Sequence, residues 1–284
     1  MKRNCFFILL CVGIAALMGL RARPAVAQVY CGATLTTDTT LIPTDPVVFD
    51  PAAQPGDTAC AQSGLILGDA ITLDCAGLTL KGKGKGTGIN IAAGVEGATI
   101  LNCTVDNFQT GIKLGGLGSH SVEGAVVMNN KINGVELPTD FNFLTGMLSR
   151  KNGRMGFLIR GVGNAVEGSV ALENGKAGFS IRSKEHSLDS NFSILNGEQG
   201  FEGSGRIVAF SLNNAISNKG NGLNFTGGSV NEPNDFSENK AIANGGNGIF
   251  VGGANPDANV DSGGNKGLAN TGPIQCQIAG QPCQ

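Results

Sequence analysis

Apolar residues alternate with variable ones at regular intervals along the chain. Val135/Leu137, Phe157/Ile159, Phe179/Ile181 and Leu223/Phe225 each flank one variable position and each pair follows a glycine. Alternation with a period of two predicts strand, not helix. The glycines concerned, Gly134, Gly156, Gly178, Gly200 and Gly222, are 22 residues apart, as are Asn130, Asn152, Asn174, Asn196 and Asn218. A fixed period of this length marks a solenoid. The frame extends to Gly88 and Gly111 on one side and to Gly248 on the other, which makes eight coils.

A second apolar column runs through Ile100, Val122, Leu144, Val166, Leu188 and Phe210, with Phe236 after a four-residue insertion. A third, two residues before each asparagine, reads Val105, Met128, Leu172, Ile194, Ile216 and Ile242. Three columns per coil predict three short strands with these side chains pointing inward. A leucine-rich repeat has a similar period and keeps an asparagine, but its asparagine lies three residues beyond its leucine and each repeat makes one strand. Here the asparagine lies two beyond and leucine does not dominate. The expected architecture is all-β, a single-stranded parallel β-helix with three strands per coil.

Strands of neighbouring coils lie about 4.8 Å apart, so residues 22 apart stack. Phe157, Phe179 and Phe201 are expected to form an interior column, and the asparagines a ladder of amide hydrogen bonds. The repeated glycines are expected at turns that need φ > 0. Two positions break the frame. Gly203 takes the slot of Ile181, and Arg150 takes that of Met128 and Leu172. A buried unpaired arginine is costly, so either the coil from Phe141 to Lys151 bulges to free Arg150, or Arg150 is paired inside. Residues 227–238, with Pro233 and Asn234, are expected to protrude as a loop.

The first 27 residues carry Lys2 and Arg3, an apolar run from Cys5 to Leu20 and Ala25-Val26-Ala27, the pattern of a secretory signal peptide. The run is too short to favour a membrane span. Residues 28–70 are expected as an N-terminal cap, 71–252 as the helix and 253–284 as a C-terminal cap or tail. Processing would remove Lys2, Arg3, Arg21 and Arg23 from the 20 basic residues and none of the 22 acidic ones, leaving a net charge of −6. That balance argues against a nucleic-acid partner held through phosphates. The expected location is periplasmic or extracellular.

Six cysteines remain, an even number in an exported chain and so a disulfide framework. Cys31 with Cys60 would close the N-terminal segment and Cys276 with Cys283 the tail. Cys75 and Cys103 either pair or are small buried residues. Zinc is the weaker reading, because CxxC spacing is absent and only His120 and His186 could join. Lys81-Gly-Lys-Gly-Lys-Gly86 has Walker-like spacing from Gly77, but Gly84 stands where Ser or Thr is required. It reads as a basic turn. Asn102, Asn191 and Asn224 open N-x-S/T triplets, a weak signal in a chain this rich in Asn, Ser and Thr.

Ile71-Thr-Leu-Asp-Cys-Ala-Gly-Leu-Thr-Leu80, Thr99-Ile-Leu-Asn-Cys-Thr-Val105, Phe108-Gln-Thr-Gly-Ile112 and the N-x₃-G-apolar units that follow resemble the right-handed parallel β-helix proteins of the pectate-lyase-like superfamily. The style is closest to NosD-like, carbohydrate-binding/sugar-hydrolase repeats, over roughly residues 65–255. The resemblance implies a fold that hosts lyases, hydrolases, epimerases and adhesins. Leu78 departs from it where these first coils often have His. Copper handling, which the NosD likeness could imply, has only Met128, Met147, Met155 and two histidines to draw on. The Asn-Thr-Asp, Asp-Asp, Gly-His-Gly and Arg-Ile-Lys strings of pectic hydrolases and the Asp-Pro-His-Asp of alginate-type epimerases are absent.

The stacked charges are Arg160 with Arg182 and Glu167 with Asp189. Like charges one rung apart repel unless an opposite group or a ligand sits between them. They are expected either to splay into solvent or be neutralised by Lys176, Lys184 or Glu185, or else to hold an anionic sugar at the arginines or Ca²⁺ at the carboxylates. The expected function is non-catalytic binding of polysaccharide or cell-envelope material. The alternatives are a divergent polysaccharide lyase, epimerase or hydrolase, favoured if all four charges share one groove, and a structural or adhesive surface protein. One Tyr and no Trp offer little for stacking on neutral sugars.

Overall fold

The computed structural model describes residues 29–42, 59–206, 208–252 and 258–283. The expected signal peptide, 1–27, lies outside them. Strands of two to six residues follow one another around a coil and pair with their equivalents one coil away, forming three parallel sheets of 12, 10 and 9 strands. The chain is a parallel β-helix of about nine turns. We label as sheet 1 the ladder through Val135–Leu137, as sheet 2 that through Phe143–Thr145 and as sheet 3 that through Leu148–Arg150. Among the described residues no helix is long and apolar enough to cross a membrane.

The ladders outrun the expected boundaries of 71 and 252. Thr34–Leu35 and Leu65–Leu67 extend sheet 1 and Thr39–Thr40 extends sheet 2 before Ile71, while Asn259–Gly263, Lys266–Leu268 and Cys276–Ile278 make a further coil after Gly252. Gln281–Pro282 then folds back antiparallel on Cys276–Ile278 and blocks the open edge of sheet 1. All three disulfides form: Cys31–Cys60, Cys276–Cys283 and, settling the open alternative, Cys75–Cys103 between adjacent coils with Cα atoms 4.7 Å apart.

Sheet 1 buries two residues per strand and sheet 2 one, as the pattern predicts. Phe157, Phe179 and Phe201 stack with centroids 4.6 and 4.8 Å apart and planes within 12°. Sheet 3 corrects the prediction. Its inward column is Leu80, Val105, Val127, Ser149, Ala171, Ser193, Ala215 and Ala241; Val105 is inward as expected, and from Val127 on the column lies one residue before the expected one. Met128, Leu172, Ile194, Ile216 and Ile242 lie on its outer face, half-buried. Volume accounts for the middle of the column: where Phe157, Phe179 and Phe201 stack on sheet 1, Ser149, Ala171 and Ser193 are the residues that fit on sheet 3. Arg150 therefore needs neither a bulge nor an interior partner. It sits outward in a regular strand, its Nη2 3.2 Å from Met128 Sδ. Gly203 occupies the Ile181 slot because the Phe225 ring fills the space above it, 2.4 Å from where a Cβ would stand.

Polar columns line the three corners. Between sheets 3 and 1, Asn130, Asn152, Asn174, Asn196, Asn218, Asn244 and Asn270 each pass an Nδ2 hydrogen to the next residue's Oδ1 at 2.9–3.0 Å, and Asn270 donates to Gln275 Oε1 at 3.1 Å. Between sheets 2 and 3 a second ladder joins Asn191, Asn213, Asn239 and Asn265. Asn191 is buried in it, which removes that residue as a glycosylation acceptor. Asn234 is likewise no loop residue, since its amide donates to Asn259 Oδ1 inside the third corner. The insertion is confined to the turn before it, where Ser229 bridges Glu232.

His120 and His186 stand in this third column. In each, Nδ1 accepts a backbone N–H from the coil before, Ala98 at 3.1 Å and Asn164 at 3.3 Å, as an asparagine Oδ1 would. An imidazole nitrogen has one lone pair where an amide oxygen has two. Asn164 Nδ2 is accordingly left buried without a partner. Burial pushes both histidines below their usual 6.5, most directly opposed by carbonyls, Gly115 for His120 and Arg182 for His186. The folded state thus resists protonation, and stability present above pH 6.5 is lost as the pH falls through it. His186→Asn is expected to supply the second acceptor for Asn164, raising stability by about 1–2 kcal/mol at neutral pH and more below pH 6. Urea midpoints measured from pH 5 to 8 check this. A variant less stable than the parent at every pH contradicts it.

Candidate functional site

The candidate site lies on the outer face of sheet 1. Phe157–Ile159 ends at its inward pair, while Phe179–Lys184 and Phe201–Arg206 run three residues further. Arg160, the residue after Phe157–Ile159, and Arg182, one coil on and within Phe179–Lys184, each follow the inward pair, and both are exposed. The turn entering the sheet brings Arg154 and Met155 to the same side, and with Asn133 and Leu158 these residues line a shallow cleft of about 440 Å³. Asn133 is held by its own coil and the next, its Nδ2 2.6 Å from Glu136 Oε1 and its Oδ1 accepting the Met155 N–H at 3.2 Å.

The charges in the cleft are unequal. Arg182 is paired with Glu202 at 3.3 Å, and Ser180 Oγ holds the same carboxylate at 2.9 Å. The expected neutralising residues are engaged elsewhere, Lys176 with Glu198 at 3.1 Å and Lys184 with Glu185 at 2.8 Å. Among the described residues neither Arg154 nor Arg160 makes an ion pair. The cleft therefore presents two guanidinium groups that make no ion pair, beside an amide and two apolar side chains, and guanidinium is suited to bidentate contact with carboxylates.

Glu167 and Asp189 stack in register, but on sheet 2. Asp189 accepts from Ser190 Oγ at 2.8 Å and from Ser211 Oγ. Two carboxylates supply part of the six to eight oxygens that Ca²⁺ takes, and among the described residues His, Cys, Asp and Glu gather nowhere in a group of three suited to a metal. The four predicted residues thus fall into two pairs on different sheets. Arg154 and Asn133 escaped the sequence reading, although Arg154 lies 22 residues before Lys176 and could have been reached by the same spacing.

The family described as "right handed beta helix region" matches residues 87–265. No curated protein matches the sequence. Among solved structures, a double mutant of the periplasmic alginate epimerase AlgG aligns with 86% of this chain and 65% of its own at 14% identity, with a TM-score of 0.52. The A-module of the Azotobacter vinelandii mannuronan C-5 epimerase AlgE4 covers 85% of this chain and 90% of its own at 15% identity and a TM-score of 0.45. Tailspike protein 2 of an Escherichia coli O157:H7 bacteriophage covers 85% and 35% at 16% identity and a TM-score of 0.47. A second AlgG structure is matched over 48% of its length at a TM-score of 0.47 and 16% identity, covering 76% of this chain, so the chain spans about half of that protein. At such identities the likeness is one of fold. With the family match running over more than half of its length, the chain belongs to the right-handed β-helix family.

Proposed function

We propose that this is an exported β-helix protein that binds an acidic polysaccharide along sheet 1 without cleaving it. The observation that carries this reading is the pair of guanidinium groups that make no ion pair, Arg154 and Arg160, in the cleft with Asn133, Met155 and Leu158. Carboxylates along a uronic-acid chain match such groups in charge and geometry. Three disulfides support passage through an oxidising compartment. The placement of Glu167 and Asp189 on another sheet supports binding over catalysis, because these acids do not face the arginines across one groove. One solved structure of similar fold is that of a periplasmic alginate epimerase, and an acidic glycan is the ligand class that the arginines favour.

Calorimetric titration with alginate, polygalacturonate and dextran tests this. The acidic polymers are expected to bind and dextran not, with affinity falling as salt rises. Arg154→Ala combined with Arg160→Ala is expected to weaken binding at least tenfold, about 1.4 kcal/mol, with no change in thermal midpoint. Depolymerisation or epimerisation of either polymer by the parent protein would overturn the non-catalytic reading, and equal binding of dextran would overturn the charge argument.

A further inference from the structure

Charge is unevenly distributed around the coil. Among the described residues, sheet 3 and the corner that joins it to sheet 1 carry eleven Lys or Arg and three Asp or Glu, a net of +8, whereas sheet 2 and its two corners carry one Arg and thirteen acids, a net of −12. The separation is hidden in a chain whose 22 acidic residues outnumber its 20 basic ones. Neighbours do not neutralise the basic side. Lys81, Lys85, Lys131, Lys219, Lys240 and Lys266 all lie on it, are exposed and make no ion pair among the described residues. Sheet 3 also turns large apolar side chains outward, Val170 with Leu172 and Phe192 with Ile194 in its middle strands. Phe192, Leu195 and Leu268 are 40%, 50% and 57% exposed.

We propose that sheet 3 and this corner are a docking surface for a bilayer rich in anionic lipid, with the helix axis lying parallel to the membrane. Phosphate headgroups answer the lysines, and each basic residue held close to an anionic surface strengthens binding about fivefold. A soluble polyanion would also meet the lysines, but it would leave the outward columns of Val, Leu, Ile and Phe in water. The boundary between headgroups and acyl chains takes up both.

The shape of the face sets the orientation. Its nine strands, about 4.8 Å apart, make it ~40 Å long. Lysines stand at both ends, Lys81 and Lys85 at one and Lys240 and Lys266 at the other, so the whole length is engaged and the axis cannot tilt far without losing one set. Sheet 2 turns its acidic residues to another side of the coil, and the orientation that brings the lysines to the lipid carries those acids away from it.

Co-sedimentation with vesicles tests the proposal. The purified protein is expected to bind vesicles of phosphatidylcholine and phosphatidylglycerol in about a two-to-one ratio, less as salt rises, and not to bind phosphatidylcholine alone. Lys219→Glu with Lys240→Glu is expected to weaken binding at least tenfold. Phe192→Thr with Leu195→Asn changes no charge and is expected to weaken it at least threefold. Both variants should keep the circular dichroism spectrum and alginate binding of the parent, and the lysine pair carries the test if the other variant misfolds. Equal binding to phosphatidylcholine alone, or a lysine pair without effect, would overturn the proposal. Full binding by the Phe192 and Leu195 variant would assign the face to a soluble polyanion, and a concentration-dependent dimer broken by the same substitutions would assign it to a second copy; either overturns the lipid. Loss of vesicle binding in Arg160→Ala would move the lipid to the cleft on sheet 1 and also overturn it. Alginate binding without vesicle binding would sink the membrane surface and leave the reading of the arginine cleft standing, and the converse result would do the reverse.

Discussion

Asn174→Ala is expected to lower stability by about 4 kcal/mol, although alanine is smaller and offends no neighbour. Asn174 Oδ1 accepts both the backbone N–H of Asn152, at 3.1 Å, and its Nδ2, at 3.0 Å. Its own Nδ2 donates to Ser149 O and to Asn196 Oδ1, each at 3.0 Å. Truncation strands a buried N–H and a carbonyl and breaks the chain of amides. Each stranded group costs about 1–3 kcal/mol, because neither water nor another side chain replaces the lost partner. The same substitution at Asn270 is expected to cost only about 1 kcal/mol. There the ladder ends on Gln275, whose flexible side chain can adjust to the gap. Urea midpoints of the two variants measure the gradient, and equal losses at both positions would show that the ladder is not a coupled unit. Asn174→Asp sharpens the test. A carboxylate there faces Ser149 O and Asn196 Oδ1, its pKa is raised in the folded state, and the variant's deficit should shrink as the pH falls toward the carboxylate range.

The repeat, the three strands per coil, the phenylalanine column and the asparagine ladder were all legible in the sequence, because each rests on identical residues at one spacing. Sheet 3 was not. Reading burial from side-chain size works where large residues face the core, as Phe179 and Ile181 do, and inverts where Ala171 is the inward residue between outward Val170 and Leu172. Which of three adjacent apolar residues points inward depends on how much space the opposite sheet leaves, and that is a property of the whole cross-section. The candidate site was half legible. The 22-residue spacing found Arg160 above Arg182, but it could not show that Glu202 pairs with one of them and leaves the other, like Arg154, without an ion pair.

The repeated glycines were legible as positions but misread as physics, and Gly178→Ala shows the difference. None of Gly134, Gly156, Gly178, Gly200 and Gly222 has positive φ. The left-handed conformation falls instead on the residue before each ladder asparagine, such as Lys151, Glu173 and Leu195. What Gly178 requires is the absence of a side chain: a Cβ there would stand 2.0 Å from Ser193 Oγ, 2.8 Å from Gly200 O and 2.9 Å from Asn196 Nδ2. Two of these are fixed parts of the neighbouring coil and the third makes the bond from Ser193 to Gly200 O, at 2.7 Å. Overpacking of this kind costs about 1–3 kcal/mol, and losing the serine bond adds roughly one more, so Gly178→Ala is expected to cost about 4 kcal/mol. Gly168 is the comparison, since it has φ +55 and nothing within 4 Å of its Cβ position, so Gly168→Ala carries only the backbone term of about 1 kcal/mol. Ser193→Ala added to Gly178→Ala removes the nearest clash and is expected to recover about a third of the loss, a coupling that a double-mutant cycle reads directly. A Gly168→Ala variant as damaged as Gly178→Ala, or strict additivity with Ser193→Ala, would return the explanation to backbone conformation and away from the contact between coils.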